Sequence, residues 1–160
     1  MSTDAIRALR RAGRHDEARD LAVELASQAP DDAELQFEAA WVHDFMGQEA
    51  EAVPYYLSAL SGNLRPELLR RAYLGLGSTY RTIGKFAEAE RVLTEGLARF
   101  PDANEMKVFL AMVSHNLGRS KQAVEMLLSL LAETSADQNI QSYREAIAFY
   151  AHDIDAATSS

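Results

Sequence analysis

Four glycines recur along the chain at nearly constant spacing, with successive separations of 34, 37 and 34 residues: Gly13, Gly47, Gly84 and Gly118. Five residues after each glycine the chain has an alanine: Ala18, Ala52, Ala89 and Ala123. Four positions further on, the residue is always apolar: Ala22, Tyr56, Leu93 and Leu127. A period of this length indicates a repeat architecture, in which units stack because one unit cannot bury its own apolar face.

The third unit shows what each repeat contains. Its first segment carries apolar and small residues at the spacing of one helix face: Tyr73, Leu76, Gly77 and Tyr80. Gly84 ends this helix, since glycine adopts the left-handed backbone conformation at little steric cost. A second amphipathic segment follows over residues 86–99, and Pro101 stops it. The repeated alanine is expected at the closest approach of the two helices, where a larger side chain would overpack the contact.

Composition limits the class of protein and the kind of partner. The chain has 160 residues, 48% hydrophobic and 25% charged, which is ordinary for a globular domain. The absence of cysteine excludes disulfides, thiol catalysis and cysteine zinc sites. A net charge of -8 disfavours nucleic-acid binding, which depends on neutralising phosphates. Apolar runs are far shorter than the roughly 18 residues of a membrane span, and the first residues lack a signal-peptide core, so we expect a cytoplasmic protein without membrane contact.

The repeat pattern resembles the tetratricopeptide repeat. The motif positions of its Trp, Leu, Gly and Tyr are filled in the third unit by Tyr73, Leu76, Gly77 and Tyr80. Three further stretches, at 40–44, 76–81 and 132–135, are similar to the small bacterial proteins of tetratricopeptide repeat group 5. The resemblance implies a right-handed α-solenoid of helix-turn-helix repeats that acts as a non-enzymatic interaction module or adaptor.

The glycines and prolines also predict the boundaries of the repeats. We expect one all-α domain over residues 1–152, with a partial repeat at 1–31 and full repeats at 32–65, 66–102 and 103–136. About nine helices result, the last being a capping helix at 137–152. Its stripe of Tyr143, Ala146, Ile147 and Tyr150 has the spacing of another first helix, but no second helix follows. Residues 153–160 are predicted to be a flexible tail.

No arrangement of residues points to catalysis, a metal or a cofactor. The four histidines are far apart and have no partner at metal-ligand spacing: His15, His43, His115 and His152. Gly75 and Gly77 lie inside a helical stripe and lack the strand that precedes a phosphate-binding loop. We therefore expect that the chain is not an enzyme.

The first helix of each pair should line the concave side of the solenoid, where such proteins bind extended or helical segments. Counting along the repeat predicts a binding groove made of Phe37, Trp41, Asp44, Arg71, Leu74, Ser78, Arg81, Phe109, Met112, His115 and Asn116. Aromatic side chains and arginine are enriched at interfaces. Two alternatives stay open: the aromatic residues fill gaps between helices, and the arginines form salt bridges with neighbouring acids.

The first unit adds three arginines to this side, Arg7, Arg10 and Arg11, although a solvated face balanced by nearby acids is the favoured interpretation. Chaperone-binding members of the family clamp a C-terminal carboxylate. One of the matching positions here is Glu38, which would repel a carboxylate, so chaperone-tail capture is not expected.

Two functions follow from these residues. The first is binding of a protein or peptide partner, of unknown identity, in the concave groove. The alternative is a self-associating homodimer whose groove is mainly packing surface. It is suggested by apolar residues of the first unit that no preceding helix would cover: Ile6, Leu9, Leu21 and Leu25.

Overall fold

The structure, a computed structural model, describes residues 2–157, and over this range the chain forms ten helices and no strand. The helices are α1 (Ser2–Arg11), α2 (His15–Gln28), α3 (Ala33–Phe45), α4 (Glu49–Ser61), α5 (Pro66–Thr82), α6 (Phe86–Arg99), α7 (Asn104–Asn116), α8 (Ser120–Thr134), α9 (Gln138–Ser142) and α10 (Arg144–Tyr150). They pack as consecutive pairs. The all-α solenoid predicted from the repeat period is confirmed.

The four repeated glycines make the turns inside the pairs. Their φ angles are 74°, 72°, 77° and 81°, for Gly13, Gly47, Gly84 and Gly118 in that order. A side chain is disfavoured at such angles, which explains why glycine recurs at this position. Each glycine follows a first helix and reverses the chain into the second.

Stacking of the pairs builds a continuous core. Every first helix packs against the second helix of the preceding pair and against the preceding first helix, so that α5 contacts both α4 and α3. The repeated alanines Ala18, Ala52, Ala89 and Ala123 are all buried. Close packing within a pair is clearest at Gly77, where an added Cβ would lie 2.5 Å from Cγ of Leu93.

The first unit, expected as a partial repeat, is a helix pair of α1 and α2 in which α1 is shorter than the other first helices. Ile6 is fully buried in a cluster with Ala18, Leu35 and Val42, and Leu9, Leu21 and Leu25 pack against the same cluster. Packing of α3 on both α1 and α2 thus covers Ile6 and part of Leu9, Leu21 and Leu25, the apolar surface that suggested self-association.

The C-terminal cap also differs from its prediction as one helix. It divides at Tyr143 into two short helices, α9 and α10, of which α10 packs on α8. Neither α9 nor α10 contains a buried residue. Because helices of this length depend on tertiary packing, residues 138–150 are not held as one continuous helix. Of the predicted tail, residues 158–160 lie outside the described residues, whereas Asp153 and Asp155 pair with Nζ of Lys121 at 2.5 and 2.9 Å.

Over residues 2–157, none of the helices combines the length and the apolar character that crossing a membrane requires.

Candidate functional site

The first helices α1, α3, α5 and α7 lie side by side and form what we call the inner face. Near its middle is a cavity of about 280 Å³, the central cavity, built by three successive repeats. Six residues of the predicted groove line it: Trp41, Asp44, Arg71, Leu74, Ser78 and Phe109. Tyr56 and Gly75 complete its wall. The repeat register thus brings together side chains that lie up to two repeats apart in the sequence.

Trp41 is both packed and accessible. Its ring stacks parallel to Phe45, with centroids 5.0 Å apart, and the guanidinium of Arg10 lies 3.2 Å from its centroid. The ring of Phe45 in turn packs against the ring of His15, with centroids 4.5 Å apart. The remaining exposed part of Trp41 lines the central cavity. These neighbours hold the indole in one orientation, which suits a side chain that contacts a ligand.

Phe37 is a core residue and not a groove contact. Only 1% of it is exposed, because its ring packs edge-on against Tyr56 with centroids 6.3 Å apart. The guanidinium of Arg71 lies above it, 5.4 Å from the ring centroid. Of the two alternatives for the aromatic residues, Phe37 thus fills the core, whereas Trp41 and Phe109 are half-buried and reach the cavity.

Asp44 and Tyr56 form a polar pair in the wall of the central cavity. The Tyr56 hydroxyl donates a hydrogen bond to Oδ2 of Asp44 at 3.0 Å. Burial raises the pKa of the Asp44 carboxyl, although the bond from Tyr56 opposes the shift. Burial and the neighbouring Asp44 charge also raise the pKa of Tyr56, which keeps the phenol protonated as a donor.

A second cavity, of about 310 Å³, adjoins Trp41 at the α1 end of the inner face and is lined by Arg7, Arg10, Arg11, Glu38, Trp41 and Arg71. We call it the arginine cavity. Glu38, 1% exposed, accepts a bond from Nε of Arg7 at 2.6 Å and a second bond from Arg10. Sequence interpretation missed this cluster, because the acid that organises it lies 28 and 31 residues from its partners. Arg14 and Arg19, by contrast, pair with nearby acids of their own helix pair on a solvated face.

Positive charge is in excess in the arginine cavity. Glu38 is its only acidic lining residue, and among the residues that the structure describes no carboxylate forms an ion pair with Arg11 or Arg71. Burial lowers the pKa of Arg10, and the charges of Arg71 and Arg7 lower it further, while Glu38 opposes them. Like charges are thus held close together in a chain whose net charge is -8.

The other four predicted residues do not line the central cavity: Arg81, Met112, His115 and Asn116. Nε of Arg81 donates to Oδ1 of Asn116 at 2.9 Å, and a ring nitrogen of His115 lies 2.9 Å from Oγ of Ser120. Arg81, Met112 and His115 line a third cavity, together with residues of α8. This third cavity, which we call the end cavity, lies at the α7 and α8 end of the inner face. The sequence analysis placed Arg81, Met112 and His115 in the groove because their positions in the repeat match those of Trp41 and Asp44.

The described part of the chain holds no group of three or more His, Asp or Glu side chains placed to bind a metal ion.

Comparison with known proteins identifies the repeat. A family model described as Tetratrico peptide repeat, of the group 5 type, matches residues 33–154, and a second tetratricopeptide repeat model matches residues 3–24. An uncharacterized protein of Aquifex aeolicus (strain VF5) is 36% identical over 85 residues, which make up 53% of this chain and 11% of that protein. The chain thus spans a small part of the length of the curated relative that it matches. Tetratricopeptide repeats generally mediate protein–protein interaction. Because the group 5 model covers most of the sequence, the chain belongs to the tetratricopeptide repeat family.

Proposed function

We propose that the chain is a non-enzymatic interaction module that binds a segment of a partner protein on its inner face. The observation that carries this proposal is the central cavity, in which three repeats present half-buried apolar side chains beside polar ones. A peptide or helix laid across α3, α5 and α7 would place an apolar side chain against Trp41, Leu74 and Phe109. Such recognition of a segment by pockets along a groove is a common mode of binding.

The neighbouring arginine cavity favours an acidic residue in the partner, next to the apolar anchor. Arg11 and Arg71 are exposed and have guanidinium donors available for a carboxylate. An acidic group bound there would also relieve the repulsion among the arginines. Asp44 lies in the wall of the central cavity, where its carboxylate can accept a hydrogen bond from the partner segment and help to orient it.

The test begins with capture of partners by three baits: the wild type, Arg71→Glu and Arg91→Glu. Both arginines are exposed, but Arg91 belongs to α6 and lines none of these cavities. We expect the wild type and Arg91→Glu to capture the same partner. Arg71→Glu should fail to capture it, because the reversed charge repels an acidic segment. Equal retention by all three baits would contradict binding at the inner face.

Direct binding can then be followed through the only tryptophan of the chain. Since all indole emission comes from Trp41, a peptide from the captured partner that enters the central cavity changes the emission maximum or intensity. We expect saturable titration with wild type and with Arg91→Glu, and at least tenfold weaker binding with Arg71→Glu. Saturable binding in calorimetry without any change in Trp41 emission would place the ligand elsewhere.

A further inference from the structure

The last complete repeat carries an apolar surface that the cap does not cover. The end cavity, of about 320 Å³, is lined by residues of α5, α7 and α8 alone. Its apolar side comprises Ala111, Met112, Ala123, Val124 and Leu127, which with His115 we call the end face. α10 packs on α8, but its residues do not line this cavity.

Comparison among the repeats shows that the end face corresponds to a surface that the next first helix contacts in the preceding repeats. Leu127 is 40% exposed, whereas its counterparts Ala22, Tyr56 and Leu93 are 0%, 2% and 0% exposed. In those repeats the following first helix covers the position; an added Cβ on Gly75 of α5 would collide with the Tyr56 ring. The end face therefore has the shape to accept one more helix of the same type.

The same molecule carries a helix of that type whose aromatic side chains are exposed. Tyr143, directly before α10, and Tyr150, its last residue, have the spacing that Tyr73 and Tyr80 have in α5. Tyr143 is 69% and Tyr150 46% exposed, whereas Tyr73 and Tyr80 are 4% and 6% exposed in the core. Phe149, which packs against the Tyr150 ring, is also exposed. We call Tyr143, Phe149 and Tyr150 the aromatic group.

The helix α10 is held away from the end face of its own chain. Lys121, near the start of α8, pairs with Asp153 and Asp155, and Oε1 of Glu125 accepts a bond from the Ile154 amide at 3.2 Å. These contacts hold the segment after α10 along α8, where Ile147 is partly buried and Ala151 is buried. The aromatic group is left facing solvent.

We propose that the end face is the docking site for a second copy of this chain, which inserts its aromatic group while its own end face receives that of the first. The acceptor surface and the inserting side chains lie at the same end of the molecule, as a two-fold symmetric, isologous interface requires. Val124 and Leu127 of the end face are exposed, as is the aromatic group, and burying exposed apolar area provides the driving force. This contact leaves the central cavity and the arginine cavity free, because neither shares a lining residue with the end cavity, and it stands independently of the proposed partner binding.

Sedimentation velocity at tens of micromolar tests the contact. The variants are Leu127→Glu on the end face, Phe149→Ser/Tyr150→Ser in the aromatic group, and Leu57→Glu as the control. Leu57 is 44% exposed, close to Leu127, but lies on α4 away from the end face. We expect dimers for the wild type and for Leu57→Glu, and monomers for the other two, all with wild-type circular dichroism. A monomeric wild type, or dimers for all variants, would overturn the proposal.

Mixing the two monomeric variants tests reciprocity. A dimer of either variant with itself has no intact contact, because both end faces or both aromatic groups are altered. A mixed dimer keeps one: the aromatic group of Leu127→Glu on the end face of Phe149→Ser/Tyr150→Ser. We expect the mixture to associate, more weakly than the wild type, where each variant alone stays monomeric. A mixture that remains monomeric at the highest attainable concentration would contradict the reciprocal contact.

Discussion

The substitution Glu38→Gln tests how the arginine cavity is held together. Glu38 is buried and accepts bonds from Arg7 and from Arg10, whose side chain is 14% exposed. The amide keeps the size of the side chain but removes the charge, and turns one acceptor oxygen into a donor that faces a guanidinium. Arg10 is then left as a buried charge without compensation, whereas Arg7 retains Glu34 at 3.4 Å.

Removing one partner of a buried ion pair costs about 3–5 kcal/mol. We expect a loss near the lower limit, about 3 kcal/mol, because Arg7 keeps a second acceptor and contact with water. At about 2–4 °C per kcal/mol for a chain of this size, the melting temperature falls by roughly 6–12 °C. The control Glu90→Gln breaks an exposed pair with Arg119, and should cost no more than about 1 kcal/mol.

Urea unfolding followed by circular dichroism measures both free energies. A second variant, Glu38→Gln/Arg10→Met, removes the uncompensated charge and places a thioether against Trp41. It should be more stable than Glu38→Gln alone, and comparison with the single variant Arg10→Met should give a coupling energy of about 1–2 kcal/mol. If Glu38→Gln matched the Glu90→Gln control, or if the effects of the double variant were additive, Glu38 would not be the centre of the cluster.

Three further predictions concern packing and charge. Gly77→Ala gains about 1 kcal/mol of helix propensity, but the added methyl group overpacks Leu93 at a cost of about 1–3 kcal/mol. We therefore expect an unchanged or lower free energy of unfolding in urea. A clear increase would contradict the close approach of Gly77 to Leu93. Leu93→Ala should lower the free energy of unfolding by about 2–5 kcal/mol, because Leu93 is fully buried, whereas Leu57→Ala should lower it by less than about 1 kcal/mol. Equal losses would refute the burial of Leu93 between stacked helices. Asp44→Asn should stabilise the protein at pH 7, because the folded-state pKa of Asp44 is raised and its ionisation opposes folding. That gain should vanish below about pH 4, where the carboxyl is protonated in both states, and a gain independent of pH would exclude this cause.

Within the predicted groove, sequence position located side chains without deciding their burial. Phe37 and Leu74 occupy the same position in successive repeats, yet the former lies in the core and the latter lines the central cavity. Met112 occupies the position of Trp41 but faces the end cavity, because within residues 2–157 no helix after α8 packs beside α7 as α5 packs beside α3. The position of a residue in the repeat fixes the direction in which its side chain leaves the helix. The exposure of that side chain depends on which other helices lie beside it.

The sequence by itself determined the helix pairs, their turns and their stacking, because these depend on signals within one repeat. A glycine with positive φ, an alanine at a close approach and an apolar stripe each act over a few residues, and their recurrence extends the same packing along the chain. Tertiary structure decided the pairing of Glu38 with two arginines of another repeat and the opening of the end face. Both depend on which side chains meet across helices about 30 residues apart, where the local periodic pattern carries no information.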